Sequence, residues 1–190
     1  MICKKIQLSE TDENVFLEAC IADKVGDFVR KAILVIPGGG YGEVCSEREG
    51  EPIGLAFMPY GYNYFVLHYS VNRVKRFPSQ LIEAAMAIKH IKDNAEEYGI
   101  DPEQVFVTGF SAGGHLCACC GTMWNKKEIY DNRNYVKGKS NIFKNFCNLK
   151  FRAYRFDCGT PLEYFSVSER IFIKSTRRQS LLNYHLDYNI

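Results

Sequence analysis

The 190-residue chain has no apolar run of the roughly 20 residues that cross a bilayer, so a transmembrane helix is excluded. Its start, Met1-Ile2-Cys3-Lys4-Lys5-Ile6-Gln7-Leu8-Ser9-Glu10, lacks the apolar core of a secretory leader, and a cytoplasmic location is expected. A formal charge of +2 is too small to give the whole chain a preference for polyanions. The one Gly-Gly-Gly run lacks the Lys-Ser/Thr of a P-loop, since Tyr41-Gly42 stands there instead. No apolar lid of the kind a lipase exposes is visible. The eight cysteines lack a pair of C-x-x-C units, so they are expected to be reduced core thiols rather than metal ligands or disulfides. No metal is expected.

What is present is centred on Val105-Phe106-Val107-Thr108-Gly109-Phe110-Ser111-Ala112-Gly113-Gly114-His115-Leu116. An apolar run ends in Gly-Phe-Ser-Ala-Gly, and small and apolar residues continue through Leu116-Cys117-Ala118. This predicts a strand, a sharp turn with Ser111 at its tip, and a helix. Gly109 and Gly113 flank the serine because strand and helix cross too closely there for Cβ atoms. Ser111 is the candidate nucleophile. The N–H of Ala112, at the helix N-terminus, is a candidate oxyanion donor.

Upstream, residues 14–21 predict a strand and residues 23–26 a turn. The continuous apolar run 31–36, stopped by Pro37, predicts a strand buried on both faces. Gly38-Gly39-Gly40 follows it directly. Glycines there let the backbone approach a ligand, and with a serine turn downstream Gly39 and Gly40 join Ala112 as candidate oxyanion donors. Ser46-Glu47-Arg48-Glu49 has the form of a capping box, predicting a helix from Ser46 to about Tyr60 with Pro52 in its first turn. Residues 62–69 predict the next strand, followed by a basic loop closed by Pro78. Leu81, Ile82, Ala85, Ile88, Ile91 and Ala95 recur at helical spacing, predicting an amphipathic helix to about Tyr98. Asp101-Pro102 starts the turn into Val105. Strands alternating with helices at this spacing make an α/β fold with a mostly parallel sheet.

Pro37-Gly38-Gly39-Gly40-Tyr41, Cys45-Ser46-Glu47-Arg48-Glu49-Gly50, Asn94 to Pro102 and Gly109 to Leu116 together resemble the bacterial α/β-hydrolases of the acetylesterase and xylan-esterase type. Gly121-Thr122-Met123-Trp124 is similar to the end of that family's nucleophile helix. The resemblance covers roughly residues 8–131. It implies an α/β-hydrolase-type sheet with helices on both faces, and a serine esterase removing acetyl or other small acyl groups from carbohydrate or similar alcohols. It also implies Ser111 as nucleophile and Ala112 with the Gly39/Gly40 loop as oxyanion donors, without a cofactor.

Past Asp131 the composition changes. Residues 1–131 hold 13 Lys+Arg against 18 Asp+Glu, while residues 132–190 hold 11 against 4. Glycine falls from 13 to 2, and eleven of the last 59 residues are Phe or Tyr. The chain is accordingly divided into a hydrolase core, 1–131, and a divergent basic tail of the same domain, 132–190. In one reading the tail's Asp157-Cys158-Gly159-Thr160-Pro161-Leu162-Glu163 is a worn form of the family's acid loop. Asp157 is then the candidate acid and His185 the candidate base, in the chain order Ser, Asp, His. In the other, which the composition favours, the tail is a truncated or frame-shifted end and the sheet is incomplete at its C-terminus. The Val105–Thr108 strand then lacks a neighbour. A nucleic-acid surface is set aside because no recognised module occurs there.

The remaining histidines read as structural: His115 packed along the helix, His68 satisfied in an apolar strand, His90 solvated on a charged helix face. Arg73, Lys75 and Arg76 read as a solvated loop edge. The functional expectation is a serine carboxylic-ester hydrolase acting on a small-molecule or carbohydrate ester, with no nucleic acid or membrane partner. The rivals are an inactive truncated relative and a peptidase-like hydrolase on the same fold.

Overall fold

The structure is a computed structural model that describes residues 1–72 and 76–123, and the backbone of two further strands. Its strands are β1 (Ile2–Gln7), β2 (Phe16–Ile21), β3 (Arg30–Ile36), β4 (Tyr62–His68), β5 (Ile100–Phe110), β6 (Lys150–Tyr154) and β7 (Phe165–Ser166). The helices are α1 (Ser46–Glu49), α2 (Glu51–Phe57), α3 (Ser79–Asp93), α4 (Ala95–Tyr98) and α5 (Ala112–Thr122), with a 3-10 turn at Met58–Tyr60. The strands form one sheet in the order β1-β2-β4-β3-β5-β6-β7. β3 pairs in parallel with β4 and β5, and β5 with β6. β1, β2 and β4 pair antiparallel, as do β6 and β7.

Alternation along the central strands divides the core. Leu34 and Ile36 of β3, Phe65 and Leu67 of β4, and Val105 and Val107 of β5 bury against Leu81, Ala84, Ile88 and Ile91 of α3 and Leu116 and Cys117 of α5. Ile33, Val35, Tyr64 and Val66 face the other way and pack against Ile53 and Phe57 of α2. Residues i and i+2 share a face of a strand, so one apolar run serves both layers. Helices therefore cover both faces of the sheet.

Several expectations are corrected. The helix expected over 46–60 is three short pieces, interrupted at Gly50 (φ −108°, ψ −98°). Pro52 does sit in the first turn of α2. Ser46 is not a capping residue: Cys45 holds that position and no side chain caps the turn. The helix expected to Tyr98 breaks at Asn94, and Gly99 ends α4 with a left-handed φ of 60°. β5 begins at Ile100, with a register shift before pairing resumes at Val105. In that shift Asp101 accepts the Glu103 N–H at 2.9 Å.

β1 has no counterpart in the sequence reading. As an edge strand it buries little, and Lys4 and Lys5 are exposed along it, which discourages pairing with another chain. Its register sets Cys3 opposite Cys20 with Cα atoms 4.2 Å apart, and the two are disulfide-bonded. The expectation of eight reduced core thiols fails at this pair, because compartment and spacing carry no information on cross-strand register. Cys117, Cys119 and Cys120 are buried thiols as expected, whereas the thiol of Cys45 is half-buried. Cys147 and Cys158 lie outside the described residues. β5 does not lack a neighbour: β6, from the basic tail, pairs with it from Phe106 to Phe110. No described helix is long and apolar enough to cross a membrane.

Candidate active site

β5 delivers the chain to Ser111 at the C-terminal edge of the sheet, and α5 leaves from it. Ser111 is exposed and sits at φ 48°, ψ −117°, a conformation that non-glycine residues rarely adopt. Strain of this kind costs on the order of 1–3 kcal/mol and persists only where the surroundings enforce it. The enforcement is visible at Gly113, where a Cβ would overlap the carbonyl oxygens of Ile36 and Pro37. Helix α5 therefore rests directly on the end of β3, and the strand-turn-helix expected around Ser111 is what the structure contains.

The loop leaving β3 lies against the same turn. Gly39 (φ 128°) and Gly40 (φ 60°) both occupy the right-hand side of φ space that favours glycine. Gly39 O accepts the Gly42 and Glu43 N–H groups at 3.0 and 3.2 Å, and Gly38 O accepts the Cys45 N–H at 3.0 Å. The N–H groups of Gly39, Gly40 and Ala112 donate to no acceptor among the described residues. Three uncommitted donors thus accompany one exposed serine.

Side chains pin this loop from three directions. Tyr69 OH donates to Pro37 O at 2.9 Å. Tyr41, itself at a positive φ of 61°, donates its phenol proton to Ala112 O at 3.3 Å and lies 2.6 Å from His115 Nδ1. Burial pushes both phenols well above the ordinary tyrosine range, so they stay protonated at any working pH. Glu49 accepts the Gly38 N–H at 2.8 Å through Oε2, and its Oε1 accepts Arg48 Nε at 3.2 Å. By spacing Glu49 belongs to a capping box, but in the fold its carboxylate serves Gly38 instead. The signal for this contact was the shared stretch Cys45 to Gly50, which had no role beyond a helix start.

Beside the loop is a cavity of about 520 Å³ lined by Gly40, Tyr41, Gly42, Asn72, Arg76, Phe77 and Gln80. Gln80, which lines it, donates to Ser70 O at 3.2 Å, and buried Glu83 accepts the Ser70 N–H and Oγ–H at 2.8 and 3.0 Å. Arg76 is exposed and lines the cavity; Arg73 and Lys75 lie outside the described residues.

His115 has the structural engagement expected of it, with Nε2 3.5 Å from Cys119 Sγ in addition to the Tyr41 contact. Burial pushes the Cys119 thiol up to about 11, so it remains a thiol. His68 stacks on Phe16 and pairs with Glu18 at 3.2 Å. His90 is not solvated: it is half-buried, with Nε2 2.8 Å from Tyr98 OH, and burial holds its pKa below the ordinary value. Asp157 and His185, the candidate acid and base, lie outside the described residues. No group of three or more metal-ligating side chains occurs among the described residues.

The chain is similar to known proteins over much of its described part. The BD-FAE family model matches residues 22–149. An endo-1,4-beta-xylanase B of Butyrivibrio fibrisolvens is 40% identical over 109 residues, 56% of this chain and 17% of its own length. An acetylxylan esterase of Xylanibacter ruminicola is 35% identical over 94 residues, 49% of this chain and 19% of its own. Among solved structures, an alpha/beta hydrolase enzyme from a Medee basin deep-sea metagenome library is 41% identical with a TM-score of 0.60, covering 64% of this chain and 51% of that one. An acetyl ester-xyloside bifunctional hydrolase from Caldicellulosiruptor lactoaceticus is 32% identical with a TM-score of 0.57, covering 63% and 47%. The chain thus spans under a fifth of these two curated relatives and about half of these two solved hydrolases.

Proposed function

The chain belongs to the BD-FAE family, and from that premise we propose that it is a serine carboxylic-ester hydrolase removing acetyl or other small acyl groups, with carbohydrate esters as substrates. The observation that carries the proposal is the exposed, strained Ser111 beside the uncommitted N–H groups of Gly39, Gly40 and Ala112. The printed names of the acetylxylan esterase and the acetyl ester-xyloside hydrolase support the substrate class.

In this reading Ser111 Oγ attacks the ester carbonyl carbon and passes its proton to an imidazole. The carbonyl oxygen becomes an oxyanion and receives the Gly39, Gly40 and Ala112 N–H groups, which are already oriented before the charge develops. The alcohol leaves with the proton, and water then attacks the acyl-serine and releases the carboxylic acid. His185 is the candidate for the imidazole and Asp157 for the carboxylate that orients it. The cavity beside Gly40 and Tyr41 receives the part of the ester nearest the oxyanion.

Turnover of p-nitrophenyl acetate and acetate release from acetylated xylo-oligosaccharides test the proposal. Ser111→Ala is expected to lower both by roughly 10³-fold or more, and His185→Ala and Asp157→Asn to do likewise. Equal turnover by wild type and Ser111→Ala would remove the serine mechanism.

A further inference from the structure

We propose that Glu49 is a positioning residue for the oxyanion loop, its carboxylate setting the orientation of the Gly39 and Gly40 N–H groups through the Gly38 peptide. The inference rests on the reading of those two N–H groups as oxyanion donors.

In a trans peptide the N–H points opposite to the C=O of the same unit, so fixing one fixes the other. The Gly39 N–H belongs to the peptide whose oxygen is Gly38 O, and that oxygen is held by the Cys45 N–H. The Gly40 N–H belongs to the peptide whose oxygen is Gly39 O, held by the Gly42 and Glu43 N–H groups. Both donors are therefore aimed by what holds the carbonyl behind them. The remaining freedom lies in the torsions of Gly38, the least restrained residue type the chain has. Those torsions are fixed only if the preceding peptide is also fixed. Its oxygen, Pro37 O, accepts Tyr69 OH, and its N–H, that of Gly38, goes to Glu49 Oε2.

Glu49 is also close to the chemistry. A Cβ built on Gly38 would lie 2.9 Å from Glu49 Oε2 and 3.0 Å from Ser111 Cβ, so carboxylate and nucleophile flank the same small volume. A negative charge there opposes a developing oxyanion, and among the described residues the exposed Arg48 pairs with it. A carboxylate in that place works against the charge it is meant to serve unless its value is as a hydrogen-bond acceptor. The geometry therefore separates two roles. Glutamine at this position keeps an acceptor of the same reach and loses the charge, whereas alanine loses both.

The test uses the full chain with Glu49→Gln, Glu49→Ala and Ser111→Ala, each checked for wild-type cooperative unfolding. The first readout is the second-order rate of labelling by a fluorophosphonate and the kcat and KM for p-nitrophenyl acetate. Glu49→Ala is expected to lose roughly 10²-fold in labelling rate and in kcat with KM nearly unchanged, the scale of a misplaced catalytic group. Glu49→Gln is expected to stay within about threefold of wild type or to exceed it. Equal rates for Glu49→Ala and wild type, or equal losses in both Glu49 variants, would overturn the proposal. The second readout needs no activity: glycine-selective ¹⁵N spectra, in which Glu49→Ala should shift the Gly39 and Gly40 amides as well as Gly38, and Glu49→Gln should restore them. If Gly38 alone responds, Glu49 does not position the donors. A wild type that is not labelled at Ser111 refutes the serine mechanism, and the glycine spectra still decide the role of Glu49.

Discussion

Tyr41 Oη lies 2.6 Å from His115 Nδ1, joining the glycine loop after β3 to helix α5. The contact is possible because Tyr41 adopts a left-handed φ that turns its ring back over the loop, edge-on to Tyr69 at 6.0 Å. Loop and serine turn are thereby tied together although 74 positions separate the two residues. Tyr41→Phe is expected to cost about 1 kcal/mol, the net value of one hydrogen bond. A double-mutant cycle with His115→Ala, read by urea unfolding, should give a coupling of about 0.5–1.5 kcal/mol. Strict additivity of the two substitutions would show that the contact does not join the two elements in solution.

Glycines near the site are expected to differ sharply in their tolerance. Gly113→Ala forces a methyl group onto the Ile36 and Pro37 carbonyls and should destabilise by about 3 kcal/mol or leave no folded protein. Gly40→Ala meets nothing within 4 Å and should cost only the roughly 1–2 kcal/mol of a left-handed non-glycine residue. Urea midpoints of the two variants decide this, and equal losses would contradict the packing described.

The Cys3–Cys20 bond closes a short loop, with a sequence separation of 17. Chain-entropy reasoning gives such a crosslink about 3 kcal/mol. Unfolding with and without a reductant should show a loss of that order, and Cys3→Ser/Cys20→Ser should no longer respond to reductant. Peptide mapping under non-reducing conditions that finds Cys3 as a free thiol would contradict the pairing.

Much of this architecture is legible locally. The buried run 31–36, the helical spacing from Leu81 to Ala95 and the Gly-Phe-Ser-Ala-Gly turn each carry their own pattern, because neighbours in sequence decide burial and turn geometry there. What escapes the sequence depends on partners far along the chain. β1 has no buried face to give it an alternating pattern, and its cysteine pairs only through register. Lys150–Tyr154 sits in a basic stretch without strand–helix rhythm and becomes a strand beside β5. Glu49 fits a capping box by spacing, but the bend at Gly50 and the proximity of Gly38 give its carboxylate a different donor.

Stability is expected to fall as pH drops below about 6.5. Burial holds the His90 pKa beneath its ordinary value of 6.5, with Lys4 adding to the effect. The unfolded chain therefore binds a proton that the folded chain resists, so stability is full above 6.5 and is lost as pH falls toward the folded pKa. His68 shifts the same way, again through burial first. Urea unfolding between pH 8 and pH 5 should show this slope, reduced in His90→Gln. A wild type that gains stability on acidification through this window would contradict the burial of His90.

The nucleophile role of Ser111 is tested most directly by intact-mass and peptide-mapped labelling with a fluorophosphonate probe. The wild-type chain is expected to gain one adduct, mapped to the peptide bearing Ser111, while Ser111→Ala gains none. One adduct on both proteins, or an adduct mapped to any other residue, would contradict the assignment of Ser111 as the nucleophile.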